Sequence, residues 1–206
     1  KVQVFETVNG MKSEGVSVSG APIDVSIIEN VKNLLGEYSD IDILVNSAGI
    51  ARHTPTVDTT ELDFDDVMSV NVRSAYFLAQ SAAKQMISKG TGGSIIQISS
   101  QMAHVGGIDR AVYCGTKQAI EGINKAMAIE FGPYKIRVNS ICPTFIRTPF
   151  TEPTFKDPEK VKWIESKIKV GRVGEVEDIM GAVKFLASDV SAMVTGSSIL
   201  IDGGWT

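Results

Sequence analysis

The sequence predicts an α/β protein in which one parallel sheet is covered by helices. Short runs rich in Val and Ile alternate along the chain with longer segments whose apolar residues recur at helical spacing. Strands buried in parallel sheets are typically rich in Val and Ile, and helices connect them. The alternation therefore predicts one continuous sheet in the order β-α-β-α-β-α-β-α-β, forming a single domain over residues 1–206.

The individual elements follow from the same two patterns. Five segments have the strand pattern: Val16–Ile23, Ile41–Val45, Ser94–Ile98, Ile136–Ile141 and Ser198–Ile201. Four segments have the helical pattern: Ile27–Tyr38, Glu61–Ser88, Tyr113–Phe131 and Glu175–Leu186. Thr60 with Asp63 three residues later is a helix-capping signal. Residues 143–171 fit neither pattern, and their length predicts a lid over a ligand site.

Composition narrows the classes of protein to which the chain can belong. It has 206 residues, 43% of them hydrophobic and 21% charged, as in ordinary globular proteins. The net charge of -4 and the lack of a basic run interrupted by aromatics argue against a nucleic-acid partner. No apolar run approaches the ~18 residues of a membrane-spanning helix, so no membrane partner is expected. Cys114 and Cys142 have no paired spacing and no signal peptide is visible, so we expect free thiols in the cytoplasm.

Small and polar residues follow three of the predicted strands. Asn46–Gly49 follows the second strand, Ser99-Ser100 the third, and Cys142–Thr148 the fourth. Open parallel sheets bind ligands beyond the carboxyl ends of their strands. We therefore expect these three loops to border a ligand site.

Tyr113 and Lys117 lie four residues apart in a helical pattern, so their side chains share one face of the helix. Tyrosine has an ordinary pKa of about 10, and a neighbouring cation lowers that pKa. The pair can therefore act as an acid–base group. A surface tyrosine beside a solvated lysine has the same spacing, and the pair taken alone favours that second interpretation.

Two further polar residues strengthen the acid–base interpretation. Ser100 follows a predicted strand thirteen residues before Tyr113, where its hydroxyl can hydrogen-bond a substrate oxygen that faces the phenol. Asn71 lies between Val70 and Val72 in a long helical segment, which predicts that its side chain is buried. A buried asparagine needs hydrogen-bond partners, so Asn71 is a candidate for the same site.

Taken together, these residues resemble the NAD(P)-dependent short-chain dehydrogenase/reductase family, and the resemblance runs essentially from end to end. The catalytic set of that family matches Asn71, Ser100, Tyr113 and Lys117. Its other motifs match Asp24-Val25, Asn46–Gly49 with Ser47 in place of an asparagine, Pro143–Thr148, and Gly196–Gly204. Five separated motifs in the right order are very improbable by chance. The resemblance implies a Rossmann-like, doubly wound parallel sheet.

The resemblance also implies a role for each matching residue. Tyr113 would transfer the hydroxyl proton of an alcohol–carbonyl couple, and Lys117 would lower the pKa of Tyr113 and hold the nicotinamide ribose. Ser100 would orient the substrate oxygen, and Asn71 would anchor a water in the proton relay. The residues implied to bind NAD or NADP are Asp24, Val25, Asn46, Ala48, Gly49, Tyr113, Lys117, Pro143, Ile146 and Thr148.

One motif of the family, the Gly-rich TGxxxGxG turn that holds the cofactor pyrophosphate, has no counterpart in the chain. In the strand order 3-2-1-4-5-6-7 expected for the family, strands 1 and 2 are then lacking, and Val16–Ile23 has no neighbour. Two explanations stay open: an upstream segment carries the turn, or a truncated protein has lost cofactor binding. The intact catalytic set favours the first. The residue that selects NAD or NADP belongs to the same lacking part, so that choice stays open.

The function implied by the resemblance is hydride transfer between NAD(P) and a secondary alcohol or ketone. Four polar side chains expected near the pocket, His53, Gln101, His104 and Arg110, favour a sugar, polyol or sugar acid as the small-molecule substrate. Two alternatives stay open, a 3-oxoacyl-[acyl carrier protein] reductase with the same catalytic set and a non-catalytic binding module. No metal site is expected, because neither histidine has a Cys, Asp or Glu at ligand spacing. By family analogy the protein would be a homotetramer or homodimer formed through its two long helices.

Overall fold

A computed structural model describes residues 2–38 and 40–206 of the chain. Its four strands are β1 Ile43–Asn46, β2 Gly93–Ile98, β3 Ile136–Pro143 and β4 Ser198–Ile201. They form one sheet in the order β1-β2-β3-β4, and each neighbouring pair is parallel. The predicted α/β fold around a parallel sheet is therefore confirmed.

Eight α-helices are present among the described residues. They are α1 Val2–Ser13, α2 Ile28–Gly36, α3 Glu61–Met68, α4 Ala75–Lys89, α5 Ala111–Phe131, α6 Glu152–Phe155, α7 Pro158–Lys167 and α8 Val176–Ala187. The Thr60 hydroxyl accepts a hydrogen bond from the Asp63 N–H at 3.1 Å and caps α3, as the sequence predicts. Within residues 2–38 and 40–206, no helix combines the length and the apolar character that a membrane crossing requires.

Helices cover both faces of the sheet. Because successive strand residues point to opposite faces, Ile95 and Ile96 of β2 enter two different cores. Ile95 packs with α4 and α5 in a cluster that includes Met86, whereas Ile96 packs with α8 in a cluster that includes Leu186. The sheet is thus doubly wound, as predicted, and its carboxyl edge stays open between the two layers of helices.

One predicted strand is wrong. Residues 16–24 form neither helix nor strand, and Val16 is 44% exposed. A strand needs a neighbour that takes up its backbone hydrogen bonds, and among the described residues β1 pairs with β2 alone. The Val- and Ile-rich composition of Val16–Ile23 fits a strand, but it carries no information about whether a partner is present.

The predicted helix Glu61–Ser88 is interrupted in its middle. Between α3 and α4, residues Ser69–Ser74 form a π-helical segment. Such wider turns occur frequently at functional sites. Asn71 lies in this segment, and only 2% of its surface is exposed, so the predicted burial of this residue agrees with the structure.

Candidate active site

A cleft of about 380 Å³ opens at the carboxyl ends of β1, β2 and β3. Its walls come from the loops that follow these strands and from the first turns of α5. Of the predicted site residues, the cleft is lined by Gly49, Ser100, Tyr113, Lys117, Pro143, Ile146 and Thr148. The three loops therefore meet around one cavity, where the sequence places a ligand.

Tyr113 and Ser100 both lie on the cleft wall. Ser100 is held in place because its Oγ accepts a hydrogen bond from the Met102 N–H at 3.1 Å. Burial raises the pKa of Tyr113, whereas the Ser100 hydroxyl and the charge of Arg110 act to lower it. The expected net lowering of this pKa by Lys117 is therefore corrected: burial outweighs both opposing effects, and the opposing cation is Arg110.

Lys117 is buried, with 6% of its surface exposed. Its Nζ donates a hydrogen bond to the Ile98 carbonyl at 2.9 Å and lies 5.7 Å from the centre of the Tyr113 ring. Burial lowers the pKa of Lys117 to about 8, although Cys142 and Glu121 act to raise it. The ammonium group is thus fixed between the end of β2 and the phenol, in surroundings that disfavour its charge.

Asn71 ties the loop after β1 to α5. Its Oδ1 accepts from the Ile50 N–H at 2.8 Å, and its Nδ2 donates to the Ile50 carbonyl at 2.8 Å. The same Nδ2 also donates to the Thr116 hydroxyl at 3.1 Å, and that hydroxyl donates to the Tyr113 carbonyl at 2.7 Å. One buried side chain therefore fixes both the cleft loop and the turn of α5 that carries Tyr113.

Asn71→Ala is expected to lower the free energy of unfolding by ~2 kcal/mol, because it leaves the part-buried Ile50 N–H and carbonyl without side-chain partners and removes the bond to the Thr116 hydroxyl. Urea denaturation of the two proteins measures the difference. Asn33→Ala, at an exposed position of α2, serves as the matched control and should change stability little. Equal effects of the two substitutions would contradict the network described above.

Asn46 and Ala48, two residues predicted to bind the cofactor, lie below the cleft and support it. The Asn46 side chain donates to Gln97 Oε1 at 2.7 Å, and its Oδ1 accepts from the Ala48 N–H at 3.1 Å. Both partners of the Asn46–Gln97 bond are buried. This bond links β1 to β2 directly below the cleft, so Asn46 and Ala48 shape the loop that carries Gly49.

The predicted pair Asp24-Val25 does not line the cleft. Asp24 accepts hydrogen bonds from the Ser26 hydroxyl at 2.7 Å and the Ser26 N–H at 2.9 Å, and these bonds lower the pKa of its carboxyl. Val25 packs on a cluster formed by α2 and α4. The structure therefore brings the catalytic candidates together and leaves Asp24-Val25 at a separate position before α2.

A buried carboxylate that the sequence does not predict lies beside the site. Glu121, one helical turn after Lys117, is 4% exposed. Its carboxylate accepts hydrogen bonds from the hydroxyls of Ser140, at 2.7 Å, and Ser198. Burial raises the pKa of Glu121, but the hydrogen bonds from Ser198 and Ser140 act in the opposite direction and the net direction is downward. No local pattern signals this role, because the partners come from distant strands.

His104, Glu121 and Cys142 have potential ligand atoms that all lie within 4.8 Å of one another. No metal site was expected from ligand spacing in the sequence. These three residues are far apart along the chain, so that spacing does not detect them. Burial, together with the charge of Glu121, raises the pKa of Cys142 to about 12. Within this group the Cys142 thiol donates a hydrogen bond to the Glu121 carboxylate at 3.5 Å.

Residues 143–171 cover one side of the cleft, and they are more regular than predicted because they contain α6 and α7. Phe145 and Ile146 form part of the cleft wall. Ile164 of α7 belongs to the same buried cluster as Phe145, and Tyr113 packs against that cluster. Trp205 stacks on Phe145 with ring centres 5.8 Å apart. Residues 143–171 are thus held in place by apolar contacts on both sides of Phe145.

Among the described residues that line the cleft, Ser99, Gln101 and Thr144 have buried polar side-chain atoms without a hydrogen-bond partner. Gln101 is 1% exposed and lines the cleft, as does Thr144. Within the described part of the chain, Gln101 Oε1, Gln101 Nε2 and Thr144 Oγ1 have no hydrogen-bond partner. Buried polar groups are normally paired, so these atoms indicate a site built for a polar ligand.

Comparison with known proteins gives consistent matches. A sequence model of the family described as "Enoyl-(Acyl carrier protein) reductase" matches residues 4–206. L-xylulose reductase from Bos taurus is 38% identical over 183 residues, which cover 89% of this chain and 75% of the relative. The 2-dehydro-3-deoxy-D-gluconate 5-dehydrogenase of Escherichia coli (strain K12) is 36% identical over 208 residues, covering 99% of this chain and 82% of the relative.

Among solved structures, a gluconate 5-dehydrogenase from Burkholderia cenocepacia J2315, in complex with NADP and tartrate, has the same fold. The TM-score is 0.93 at 31% sequence identity, and the match covers 97% of this chain and 80% of that chain. The fold, the cleft and these matches lead to one conclusion. The chain belongs to the short-chain dehydrogenase/reductase family and is an NAD(P)-dependent oxidoreductase that acts on CH–OH groups.

Proposed function

We propose that the enzyme interconverts the alcohol and ketone forms of a sugar, polyol or sugar acid. The observation that carries the proposal is that Ser100 and Tyr113 line one cleft together with Gln101, Arg110 and His53. A polyhydroxylated substrate needs several polar partners besides those at the reacting carbon. L-xylulose reductase and 2-dehydro-3-deoxy-D-gluconate 5-dehydrogenase act, by their names, on compounds of this class.

Tyr113 is the acid–base residue of this proposal, and Ser100 is its partner at the substrate oxygen. In the oxidation of an alcohol, the Tyr113 oxygen takes the hydroxyl proton while the Ser100 hydroxyl holds the same substrate oxygen. In the reduction of a ketone, Tyr113 returns the proton. Burial raises the pKa of Tyr113, which favours the protonated phenol needed for reduction at neutral pH. The hydride moves between the substrate carbon and the nicotinamide, and this is the chemistry that the cofactor supplies.

Lys117 and Asn71 complete the proposed catalytic set. Lys117, whose Nζ lies 5.7 Å from the Tyr113 ring centre, holds the nicotinamide ribose. Asn71 holds the cleft loop through Ile50, and its Oδ1 retains one lone pair with which it anchors a water of the proton relay. The role of Asn71 needs the π-helical turn, because that turn carries this residue.

The cleft residues fit a bound nicotinamide. A side chain at Gly49 would contact Asn71 Oδ1 at 3.5 Å and Lys117 Nζ at 3.7 Å, so glycine leaves this corner free. The unpartnered Thr144 hydroxyl offers the same region a hydrogen bond. In this proposal Pro143, Ile146 and Thr148 hold the nicotinamide end, with Gly49 and its supports Asn46 and Ala48, while Asp24 and Val25 contact the adenine end.

The test is a substrate panel assayed with the full-length protein and with both NAD and NADP. Absorbance at the reduced-nicotinamide band is followed with polyols, sugar acids and the corresponding ketones, and with a 3-oxoacyl thioester for the alternative activity. We expect turnover with members of the sugar series and little with the thioester. No turnover of any substrate, together with no measurable binding of either dinucleotide, would refute the proposal.

The proposal includes a cytoplasmic homotetramer or homodimer. Cys114 and Cys142 are free thiols, which suits a reducing compartment. Leu62 and Phe64 of α3, in the first of the two long helical segments, are 72% and 46% exposed, and exposed apolar side chains support an association surface. Light scattering coupled to size-exclusion chromatography measures the mass, and a monomer at micromolar concentration would contradict the assembly.

A further inference from the structure

Arg110 is a half-buried cation on the cleft wall, immediately before α5. Among residues 2–38 and 40–206, no carboxylate forms an ion pair with its guanidinium. The other arginine in a neighbouring loop, Arg52, has two such partners, Asp63 and Asp66, each at 3.5 Å. A partly buried arginine without a carboxylate lacks the partner that its planar, five-donor head group fits best.

The guanidinium of Arg110 is nevertheless held in position. Its Nη1 lies 3.1 Å from His53 Nε2, and its Cζ lies 5.4 Å from the centre of the Phe145 ring. Phe145 in turn is backed by the stacked ring of Trp205. Contacts of this kind fix the direction of the remaining N–H donors before any ligand arrives, which is the condition for strong binding.

The charges around this position are mainly positive. Desolvation lowers the pKa of His53, and the charges of Arg110 and Lys160 lower it further, against a smaller opposite effect of Asp109. His53 is therefore neutral at pH 7, so its ring nitrogen accepts from Arg110 without neutralising the guanidinium. Of the charges that act on His53, Asp109 is a carboxylate and Arg110 and Lys160 are cations, so the net charge around this cleft residue is positive.

The position of Arg110 relates this charge to the reacting centre. Arg110 precedes Tyr113 by one helical turn, and its charge acts directly on the Tyr113 phenol. The buried amide of Gln101, which has no partner among the described residues, lines the same cleft. A substrate whose reacting oxygen reaches Tyr113 can therefore place a second polar group on Arg110.

We propose that Arg110, positioned by His53 and Phe145, binds a carboxylate of the substrate, and that the natural substrate is a sugar acid or the corresponding keto acid. The assignment rests on the proposed function and refines it, since it separates sugar acids from neutral sugars and polyols. An arginine head group binds a carboxylate through two parallel hydrogen bonds, which a neutral hydroxymethyl group cannot reproduce. Arg110 therefore sets specificity, whereas Ser100 and Tyr113 carry the chemistry.

The test uses substrate pairs that differ only in the charged group: D-gluconate with D-sorbitol, and D-galactonate with galactitol. For the wild-type protein we expect a higher kcat/KM for the acid of at least one pair. Arg110→Met should lower the acid-to-alcohol ratio of kcat/KM about 100-fold, the size expected when one partner of a buried charge pair is removed. Arg110→Lys should keep part of the preference, because it retains the charge but loses the two-point geometry.

Arg52→Met is the matched control, because it removes an arginine that already has carboxylate partners and should leave the ratio unchanged. The assignment would be overturned if Arg110→Met left the acid-to-alcohol ratio of kcat/KM unchanged. It would also be overturned if Arg110→Met and Arg110→Lys lowered this ratio equally. A preference for 6-phosphogluconate over gluconate that depends on Arg110 would show that Arg110 binds a phosphate group and not a carboxylate, and would overturn the assignment. Turnover of neutral alcohols alone would refute this inference but not the proposed function. No turnover of any substrate would refute both the inference and the proposed function.

Discussion

Replacing Tyr113 by phenylalanine is expected to lower kcat about 10,000-fold while leaving the Kd for NAD(P) nearly unchanged. The variant keeps the ring that packs against the cluster of Phe145 and Ile164, and it removes only the hydroxyl. Without that hydroxyl, the position has no group that exchanges a proton with the substrate oxygen. Steady-state kinetics at the reduced-nicotinamide band gives kcat, and titration calorimetry gives the Kd.

Tyr134→Phe is the control for this experiment. Tyr134 follows the end of α5, away from the cleft, and is 50% exposed, so loss of its hydroxyl should leave kcat within experimental error. If Tyr113→Phe retained more than a tenth of the wild-type kcat, Tyr113 would not be the acid–base residue. A large loss of cofactor affinity in the same variant would instead indicate a binding role.

Much of the fold was predictable because its signals are local. The apolar run at Ile95-Ile96 and the helical periodicity after Tyr113 depend only on neighbouring residues, and both elements are present. The strand predicted at Val16–Ile23 was wrong because strand formation depends on a distant partner. The π-helical turn at Ser69–Ser74 was not predictable either, since its residues suit an ordinary helix and its contacts, such as Asn71 with Ile50, are long-range.

The residues of the candidate site were easier to predict than their energetics. Ser100 could be placed because it follows a strand, and Tyr113 and Lys117 because they share a helical face. The direction of the Tyr113 pKa could not be predicted, since it depends on burial and on Arg110, which no spacing rule includes. Glu121 was missed for a related reason, because its hydroxyl partners lie on β3 and β4.

Replacing Lys117 by methionine is expected to lower kcat about 1,000-fold and, at the same time, to raise the free energy of unfolding at pH 7 by ~1 to 2 kcal/mol. Burial lowers the pKa of Lys117 to about 8, so folding with a charged Lys117 is opposed by up to about 3 kcal/mol. Methionine fills a similar volume without charge. The substitution therefore removes the charge penalty, but it also loses the hydrogen bond to the Ile98 carbonyl, which offsets ~1 kcal/mol of the gain in stability. Urea denaturation measures the net change in the free energy of unfolding.

The stabilisation by Lys117→Met should depend on pH in a defined direction. The pKa of Lys117 is 10.5 in the unfolded chain and about 8 in the folded protein. Below pH 8 the side chain is charged in both states, so the wild type carries the full penalty. As the pH rises to 10.5, the folded state releases its proton first, the penalty shrinks, and the advantage of the variant disappears. Lys125→Met, at an exposed position of the same helix, should show no such trend, and a gain that stayed constant over this pH range would exclude the buried charge as its source.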